Sequence, residues 1–190
     1  MQPNDYPLTL VCHPATPAPV VRSIEARASI QPDGTLGLAY RVWGDMARLL
    51  IPEAQPTERI DSLWEHTCFE AFVGVAGSTA YREFNFSPSG QWAAYVFSDY
   101  RQPEQSDTPI TAPKITTRRF AGRLEIEAII PANALPSGRP LHVALSAVVE
   151  ATDIVHGSHS YWALHHVAER PDFHQREAFI LELTVPHNAA

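Results

Sequence analysis

The chain has 190 residues, of which 45% are hydrophobic and 18% are charged; this is the composition of a folded soluble protein long enough for one sizeable core. Its net charge of −7, and the lack of any apolar run near the ~18 residues that span a bilayer, speak against nucleic-acid and membrane binding. The first residues lack a signal-peptide pattern and Cys12 and Cys68 lack disulfide-framework spacing, so we expect a single cytoplasmic domain over residues 1–190.

Alternating hydrophobic and polar residues predict short β-strands along most of the chain. Residues 22–30 and 35–43 alternate on either side of the turn Pro32-Asp33-Gly34. The same pattern recurs in residues 123–130, 141–149, 161–164 and 179–185. The 17 prolines speak against long helices, and the polar, proline-rich residues 102–113 read as a connecting loop. We therefore predict an all-β fold, a β-sandwich of about ten mostly antiparallel strands in two sheets.

The central part of the chain predicts a three-stranded meander. It begins with an alternating strand at residues 63–73 and turns at residues 77–79 and 87–90. With tight hairpins, Glu70 lies near Asn85 and Phe72 near Glu83, while Trp92 lies beside Asn85 and Ala94 beside Glu83. One face of the meander is then almost pure core, formed by Phe69, Ala71, Val73, Phe84, Phe86, Ala93, Tyr95 and Phe97.

The opposite face of this meander mixes aromatic rings with carboxylates and an amide. It holds Trp64, His66, Cys68, Glu70, Phe72, Tyr81, Glu83, Asn85, Ser87, Trp92 and Ala94. The C–H faces of a sugar ring pack on aromatic rings, and carboxylates give its hydroxyls hydrogen bonds of about 1.5–3 kcal/mol each. This face indicates a site for a neutral polyol, and the alternative is an ordinary sheet face covered by loops.

Two catalytic interpretations remain as alternatives. Glu70 and Glu83 on neighbouring strands could act as the acid and the base or nucleophile of a glycosidase, although no further residues complete an active site. His66 and Cys68 share a face and could support nucleophilic catalysis, but a third group to orient the histidine is not evident. We therefore assign no catalytic residue and expect no enzyme activity.

Histidines cluster towards the end of the chain. They are His156, His159, His165, His166 and His174, with Asp153 and Asp172 as further candidate metal ligands. Their spacing matches no established zinc pattern, so we assign no metal. His174 follows the turn Pro171-Asp172, which can fold it back over the sheet beside Trp162.

Several stretches in fixed order carry a family resemblance. They are LWEHTCFEAFV (63–73), YREFNFSPSGQWAAYVFSDYR (81–101), EIEAIIPANAL (125–135), YWALHH (161–166) and PDFHQREAF (171–179). Together they resemble the DOMON-like domains related to family 9 carbohydrate-binding modules, in particular a small stand-alone bacterial subgroup, over about residues 49–185. The resemblance implies a sandwich like the jelly roll of carbohydrate-binding modules, with a ligand site on its concave side or rim.

Relatives in the wider group bind sugars between tryptophan rings, or bind haem through Met and His. The resemblance therefore implies an aromatic clamp drawn from Trp64, Trp92 and Trp162, with Arg101 as a further polar contact. Met46 is the one methionine besides Met1 that could serve a haem.

The predicted function is non-catalytic binding of a small polar ligand, a saccharide or glycan fragment. The predicted site comprises Trp64, His66, Glu70, Tyr81, Glu83, Asn85, Trp92, Arg101, Trp162 and His174. No cofactor is assigned. The alternatives are a protein-interaction module that docks through this face, a hydrolase using Glu70 and Glu83, or a haem- or metal-binding domain.

Overall fold

Twelve β-strands and four short 3-10 helices make up the regular structure of residues 7–104, 109–152 and 159–184, which this computed structural model describes. The strands are β1 (Leu8–Cys12), β2 (Val21–Ile30), β3 (Leu36–Gly44), β4 (Cys68–Val75), β5 (Tyr81–Phe86), β6 (Trp92–Asp99), β7 (Gln102–Glu104), β8 (Lys114–Phe120), β9 (Arg123–Ile130), β10 (Leu141–Glu150), β11 (His159–Ala163) and β12 (Leu181–Leu183). The 3-10 helices are Met46–Arg48, Leu63–Glu65, Ala132–Ala134 and Arg176–Ala178. The predicted all-β fold is confirmed, and none of the helices in these ranges is long and apolar enough to cross a membrane.

The strands form two antiparallel sheets that share one strand. Sheet I has the order β1-β2-β3-β9-β8, and sheet II has the order β7-β6-β5-β4-β10-β11-β1, with β12 also pairing with β10. The shared strand is β1, in which Leu8, Thr9 and Leu10 pair with β2 while Val11 and Cys12 pair with β11. The chain therefore passes from one sheet to the other without leaving the hydrogen-bonded ladder.

The inner faces of the two sheets meet in one hydrophobic core, as the predicted sandwich requires. Large side chains of sheet I in this core are Ile24, Ile30, Leu36, Tyr40, Val42, Leu124, Ile126 and Ile130, and those of sheet II include Phe69, Val73, Phe84, Phe86, Val143 and Leu145. The ring centroids of Tyr40 and Phe69 lie 5.1 Å apart across the interface, and the Tyr40 hydroxyl donates to the backbone carbonyl of Glu70 at 2.7 Å. Each fully buried side chain of this size stabilises the fold by about 1.5–3 kcal/mol.

The predicted pairing of β4 with β5 is confirmed. Glu70 lies opposite Asn85, and Phe72 lies opposite Glu83. Because side chains alternate along a strand, these four residues share the outer face of sheet II, while Phe69 faces the core.

The predicted pairing of β5 with β6 is wrong by one residue. Trp92 lies opposite Phe86 instead of Asn85 because the hairpin has a three-residue loop, in which the Ser87 amide donates to the Gln91 carbonyl at 3.0 Å. Gly90 closes this loop with φ 93°, a left-handed conformation that glycine adopts without strain. A one-residue shift exchanges the faces of a strand. Ala93, Tyr95 and Phe97 therefore face outwards, while Trp92 and Ala94 join the core.

Further strands differ from the sequence-based prediction, among them β7 and β8. β7 lies within residues 102–113, which the sequence predicted as a loop, and residues 105–108 of that loop lie outside the described residues. β8 is an edge strand with little burial on either face. It therefore carries little of the hydrophobic alternation by which strands are recognised.

Candidate functional site

A pocket of about 430 Å³ lies on the outer face of sheet II. Its floor is formed by Glu70 and Phe72 of β4, Glu83 of β5, Tyr95 and Phe97 of β6, Val148 of β10 and Tyr161 of β11. Its walls are formed by Trp64, Arg101, Pro103, Pro171, Asp172, Phe173 and His174. The volume falls in the range of about 300–1,000 Å³ that is usual for small-molecule sites.

One wall is a loop that packs over the sheet through its own hydrophobic cluster. Phe173 contacts Phe72 and Tyr161, with ring centroids 6.4 and 6.1 Å apart. Phe179 follows and contacts Tyr81 at 5.5 Å. These buried contacts fix the loop over one end of the sheet face and leave the pocket beside it.

Two buried carboxyl groups form the polar centre of the floor. Glu70 and Glu83 are 3% and 5% exposed, and they occupy diagonal positions on adjacent strands. Burial, followed by the charge of Glu83, raises the pKa of Glu70 well above its usual range. Burial also raises the pKa of Glu83, although Asn85 donates to one of its carboxyl oxygens at 2.7 Å. The pair therefore keeps a proton at pH values where exposed glutamates are ionised.

His174 lies against this pair as a neutral ring. Its Nδ1 is 2.8 Å from the Tyr81 hydroxyl, and its Nε2 is 3.7 Å from a carboxyl oxygen of Glu83. The Tyr81 hydroxyl also accepts a hydrogen bond from the backbone amide of Arg101 at 3.2 Å. We therefore assign the hydroxyl proton of Tyr81 to the bond with Nδ1, which places the proton of the neutral imidazole on Nε2. Burial, followed by the positive charge of Arg101, lowers the pKa of His174 to about 4. The ring is therefore uncharged near neutral pH.

A hydrogen-bonded clamp ties the loop to the turn between β6 and β7. The Arg101 guanidinium lies 2.9 Å from one Asp172 oxygen, and the Tyr100 hydroxyl donates to the other at 2.6 Å. The His174 amide and the Gln175 side chain also donate to this carboxylate, at 3.1 and 2.9 Å. Burial opposes ionisation, but these donors outweigh it and lower the pKa of Asp172. Arg101 has a left-handed φ of 50°, an uncommon conformation that its contacts hold in place.

The opposite rim is aromatic. Trp64 is 41% exposed, and its ring meets that of Tyr95 edge-on at 5.8 Å. The Tyr95 hydroxyl donates to Asp61 at 2.8 Å, and burial raises the pKa of Tyr95, so it stays a neutral phenol. An exposed tryptophan beside a fixed tyrosine leaves a ring face on which a ligand can stack.

The structure brings seven of the ten residues of the predicted site together. Trp64, Glu70, Glu83, Arg101 and His174 line the pocket. Tyr81 and Asn85 lie behind it, where they hold His174 and Glu83 by hydrogen bonds. His174 does fold back over the sheet, but it lies beside Phe72, Tyr81 and Phe97 instead of Trp162.

The other three predicted residues lie elsewhere. Trp92 faces the core because of the three-residue hairpin loop. Trp162 lies opposite Ala147 and also faces the core, where its ring nitrogen donates to Ser160 at 2.9 Å.

His66 lies outside the pocket because β4 begins only at Cys68. The strand predicted from residue 63 therefore does not include His66, and strand alternation does not determine where its side chain lies. The chain forms a 3-10 helix over Leu63–Glu65, after which the exposed His66 side chain contacts Glu150 at 2.9 Å. The same helix carries Trp64 to the rim of the pocket by a different path from the predicted strand.

Several lining residues were not predicted from the sequence, including Tyr95, Phe97, Tyr161 and Phe173. Gly90 was the available signal for Tyr95 and Phe97, because a glycine at the end of a hairpin loop is typical of the three-residue form. Tyr161 precedes the predicted Trp162 and alternates with it, so the pairing of β11 with β10 decides which of the two faces the pocket.

The histidines do not form a metal site within the described part of the chain. In residues 7–104, 109–152 and 159–184, no group of three or more His, Cys, Asp and Glu residues is placed to hold a metal ion. His156 and Asp153 lie outside these ranges. His159 and His166 contact backbone carbonyls of Glu65 and Val11, at 2.8 Å each.

The residues named for other chemistries do not line the pocket. Cys68 is fully buried, and burial raises the pKa of its thiol, whereas His66 is exposed. A reactive cysteine needs a lowered pKa and access to solvent, so this buried thiol does not fit a Cys68–His66 nucleophile pair. Met46 lies in the helix Met46–Arg48 and packs against the core instead of lining the pocket.

Comparison with solved structures shows that the fold is similar to that of proteins described as carbohydrate-binding. The chain is similar to a candidate carbohydrate-binding protein from Bacteroides uniformis, with 18% identity, a TM-score of 0.63, and coverage of 94% of this chain and 85% of that one. It is also similar to a family 9 carbohydrate-binding module from Caldicellulosiruptor kristjanssonii. For its glucose complex the identity is 12% and the TM-score 0.54, with coverage of 88% of this chain and 80% of that one. For its cellotriose complex the identity is 10% and the TM-score 0.54, with coverage of 97% of this chain and 86% of that one.

No family model matches the chain, and no curated protein matches it significantly in sequence. The predicted relation to carbohydrate-binding modules is thus supported at the level of the fold. The DOMON-like part of that resemblance stays a prediction.

Proposed function

We propose that this protein binds a small polar ligand of the saccharide class, without catalysis, in the pocket on sheet II. The observation that carries the proposal is the composition of the pocket, in which aromatic rings surround two buried carboxyl groups. Trp64, Tyr95 and Tyr161 offer surfaces for the C–H groups of a sugar ring, and Glu70 and Glu83 offer hydrogen-bonding groups for its hydroxyls.

The shape of the site favours a small ligand over a protein partner. The lining residues enclose a concave pocket of about 430 Å³, whereas a docking surface for a protein is typically a broad patch with an apolar centre. Support from fold likeness is secondary: the family 9 module from Caldicellulosiruptor kristjanssonii was solved with glucose and with cellotriose.

Glycoside hydrolysis is a second candidate, which the burial of Glu70 and Glu83 in one pocket favours. A carboxyl group with a raised pKa, as Glu70 has, suits a general acid. Its partner in a glycosidase has to be ionised, however, and burial raises the pKa of Glu83 as well. We therefore rank binding without catalysis above glycoside hydrolysis. Hydrolysis of aryl glycosides by the wild type that is lost in Glu70→Gln would reverse this ranking.

The binding proposal is tested by calorimetry with monosaccharides and disaccharides at millimolar concentrations. We expect saturable binding that Trp64→Ala weakens by about two- to tenfold, since an aromatic contact contributes about 0.5–1.5 kcal/mol. Trp43→Ala is the matched control, because Trp43 lies on sheet I against Arg41 and Arg123, outside the pocket. Absence of binding by every saccharide tested would overturn the proposal.

A further inference from the structure

The charges that line the pocket do not balance. Its described lining contains the carboxyl groups of Glu70, Glu83 and Asp172 and a single guanidinium, that of Arg101. Arg101 attracts both glutamates, but it is held by Asp172 at 2.9 Å. His174 is neutral near pH 7. When both glutamates are ionised, the pocket therefore carries two negative charges in excess.

The other groups that face the two glutamates do not supply this missing charge. Apart from Arg101, Asp172 and His174, which are counted above, they are Cys68 on β4, Tyr81 and Asn85 on β5, Tyr95 on β6, Ser146 on β10 and Tyr40 on β3. Burial raises the pKa of the thiol of Cys68 and of the phenols, so they stay neutral. A cation that would let both glutamates ionise has to come with the ligand.

The aromatic lining suits a cation as well as a sugar ring. The rings of Trp64, Phe72, Tyr95, Phe97 and Tyr161 line the same pocket as the two carboxyl groups. The face of an aromatic ring attracts an ammonium group, by about 2 kcal/mol when water is excluded. Rings and carboxylates around one cavity are the combination that recognises organic ammonium ions.

We propose that the ligand is an amino sugar, whose ammonium group binds between Glu70 and Glu83 while its ring packs on the aromatic side chains. The sugar part of this inference rests on the proposed function, whereas the ammonium part rests on the carboxyl pair. An ammonium group has three donors and no acceptor, so it can bond to both carboxylates at once. It also offsets the repulsion that opposes ionisation of the pair.

Acid weakens this binding. As pH falls, the raised pKa values of the carboxyl pair favour its protonated form, while an amino sugar stays charged and His174 stays neutral down to about pH 5. Asp172 stays ionised, because its donors lower its pKa. Affinity for the ammonium ligand therefore falls on acidification, whereas affinity for a neutral sugar does not depend on ionisation of the pair.

Calorimetry with four probes tests the inference. Glucosamine, glucose, N-acetylglucosamine and ethanolamine separate the ring from the charge, since acetylation keeps the nitrogen but removes its positive charge. We expect glucosamine to bind at least tenfold more tightly than glucose or N-acetylglucosamine at pH 7, with the preference reduced at pH 5. Glu70→Gln and Glu83→Gln should each remove most of this preference.

Glu127→Gln is the matched control, because Glu127 pairs with Arg118 on sheet I and lies outside the pocket. Glutamine replaces a group that is held partly protonated, so the two variants keep the shape of the floor, and thermal unfolding checks that they fold.

The outcomes separate the inference from the function on which it rests. Equal or tighter binding of glucose overturns the ammonium site and leaves saccharide binding in place. Binding of ethanolamine without any sugar overturns saccharide binding and supports the ammonium site. Binding of none of the four overturns both, and a glucosamine preference that survives both glutamine variants overturns the assignment to this pair.

Discussion

Glu70 and Glu83 lie diagonally on adjacent strands of one sheet face, and neither exposes more than 5% of its surface. Two carboxyl groups in such positions cannot both ionise without loss of stability, since burial and mutual repulsion both oppose the charge. A ligand that offsets this repulsion therefore gains binding free energy at the floor of the pocket.

This arrangement predicts that stability falls as pH rises. An unfolded Glu70 ionises near its usual pKa of 4.5, while the folded protein keeps the proton to higher pH, so folding is favoured less above that value. Each unit by which the pKa is raised corresponds to about 1.4 kcal/mol. Urea denaturation from pH 4.5 to 8 should show that Glu70→Gln becomes steadily more stable relative to wild type. A difference independent of pH would contradict the raised pKa.

His174 predicts a pH dependence of the opposite sign. Its pKa falls from 6.5 to about 4 on folding, so its neutral form stabilises the protein fully above pH 6.5. This stability is lost as pH falls towards 4, to an extent of about 3 kcal/mol. Denaturation at pH 7 and pH 4 gives the free energy of unfolding of wild type and of His174→Gln. The change in the difference between the two proteins from pH 7 to pH 4 measures this loss of stability. A difference that is the same at pH 7 and pH 4 would contradict the lowered pKa of His174.

Two tryptophans should separate binding from stability. Trp92 is 7% exposed and faces the core, so Trp92→Ala should lower the free energy of unfolding by about 3–5 kcal/mol. Trp64 is 41% exposed at the rim, so Trp64→Ala should change it by roughly 0.5 kcal/mol while weakening ligand binding. Chemical denaturation beside calorimetry measures both effects. Loss of stability only in Trp64→Ala would place β6 in the other register.

The clamp at Asp172 should control the mobility of the pocket wall. Asp172→Asn weakens the bonds from Arg101, Tyr100 and Gln175, at a cost of about 1–3 kcal/mol in stability. Hydrogen exchange of the amides in residues 172–175 should become faster. Glu53→Gln is the control, because Glu53 forms an exposed ion pair with Arg119. Unchanged exchange in Asp172→Asn would show that Phe173 alone holds the wall.

The sequence was most informative where strands follow one another directly. β4 and β5 alternate clearly, and the pairing predicted from the sequence alone places Glu70, Glu83 and Asn85 on one face, as the structure does. β6 was misplaced because a change of one residue in the length of a hairpin loop exchanges the two faces of the strand that follows. Both faces of β6 are largely hydrophobic, so its sequence pattern did not reveal the shift.

The walls of the pocket depend on contacts between distant parts of the chain. The sequence proposed that His174 folds back over the sheet, but its neighbours follow from the packing of Phe173 on Phe72, about a hundred residues earlier. Trp64 was predicted for the site through a strand that does not form, and it reaches the rim on a 3-10 helix. Local patterns do not encode such long-range placement.

The strand that belongs to both sheets has a consequence for how the pocket can adapt. Sliding of one sheet over the other would break the ladders of β1 on both sides, so the floor behaves as a fixed template. Adjustment to ligands of different size then falls to the two walls, the turn at Arg101 and the loop at residues 171–174, which are joined to each other by Asp172. Differences in ligand size would therefore be accommodated by these two short segments, which can change in sequence without any change in the sandwich beneath them.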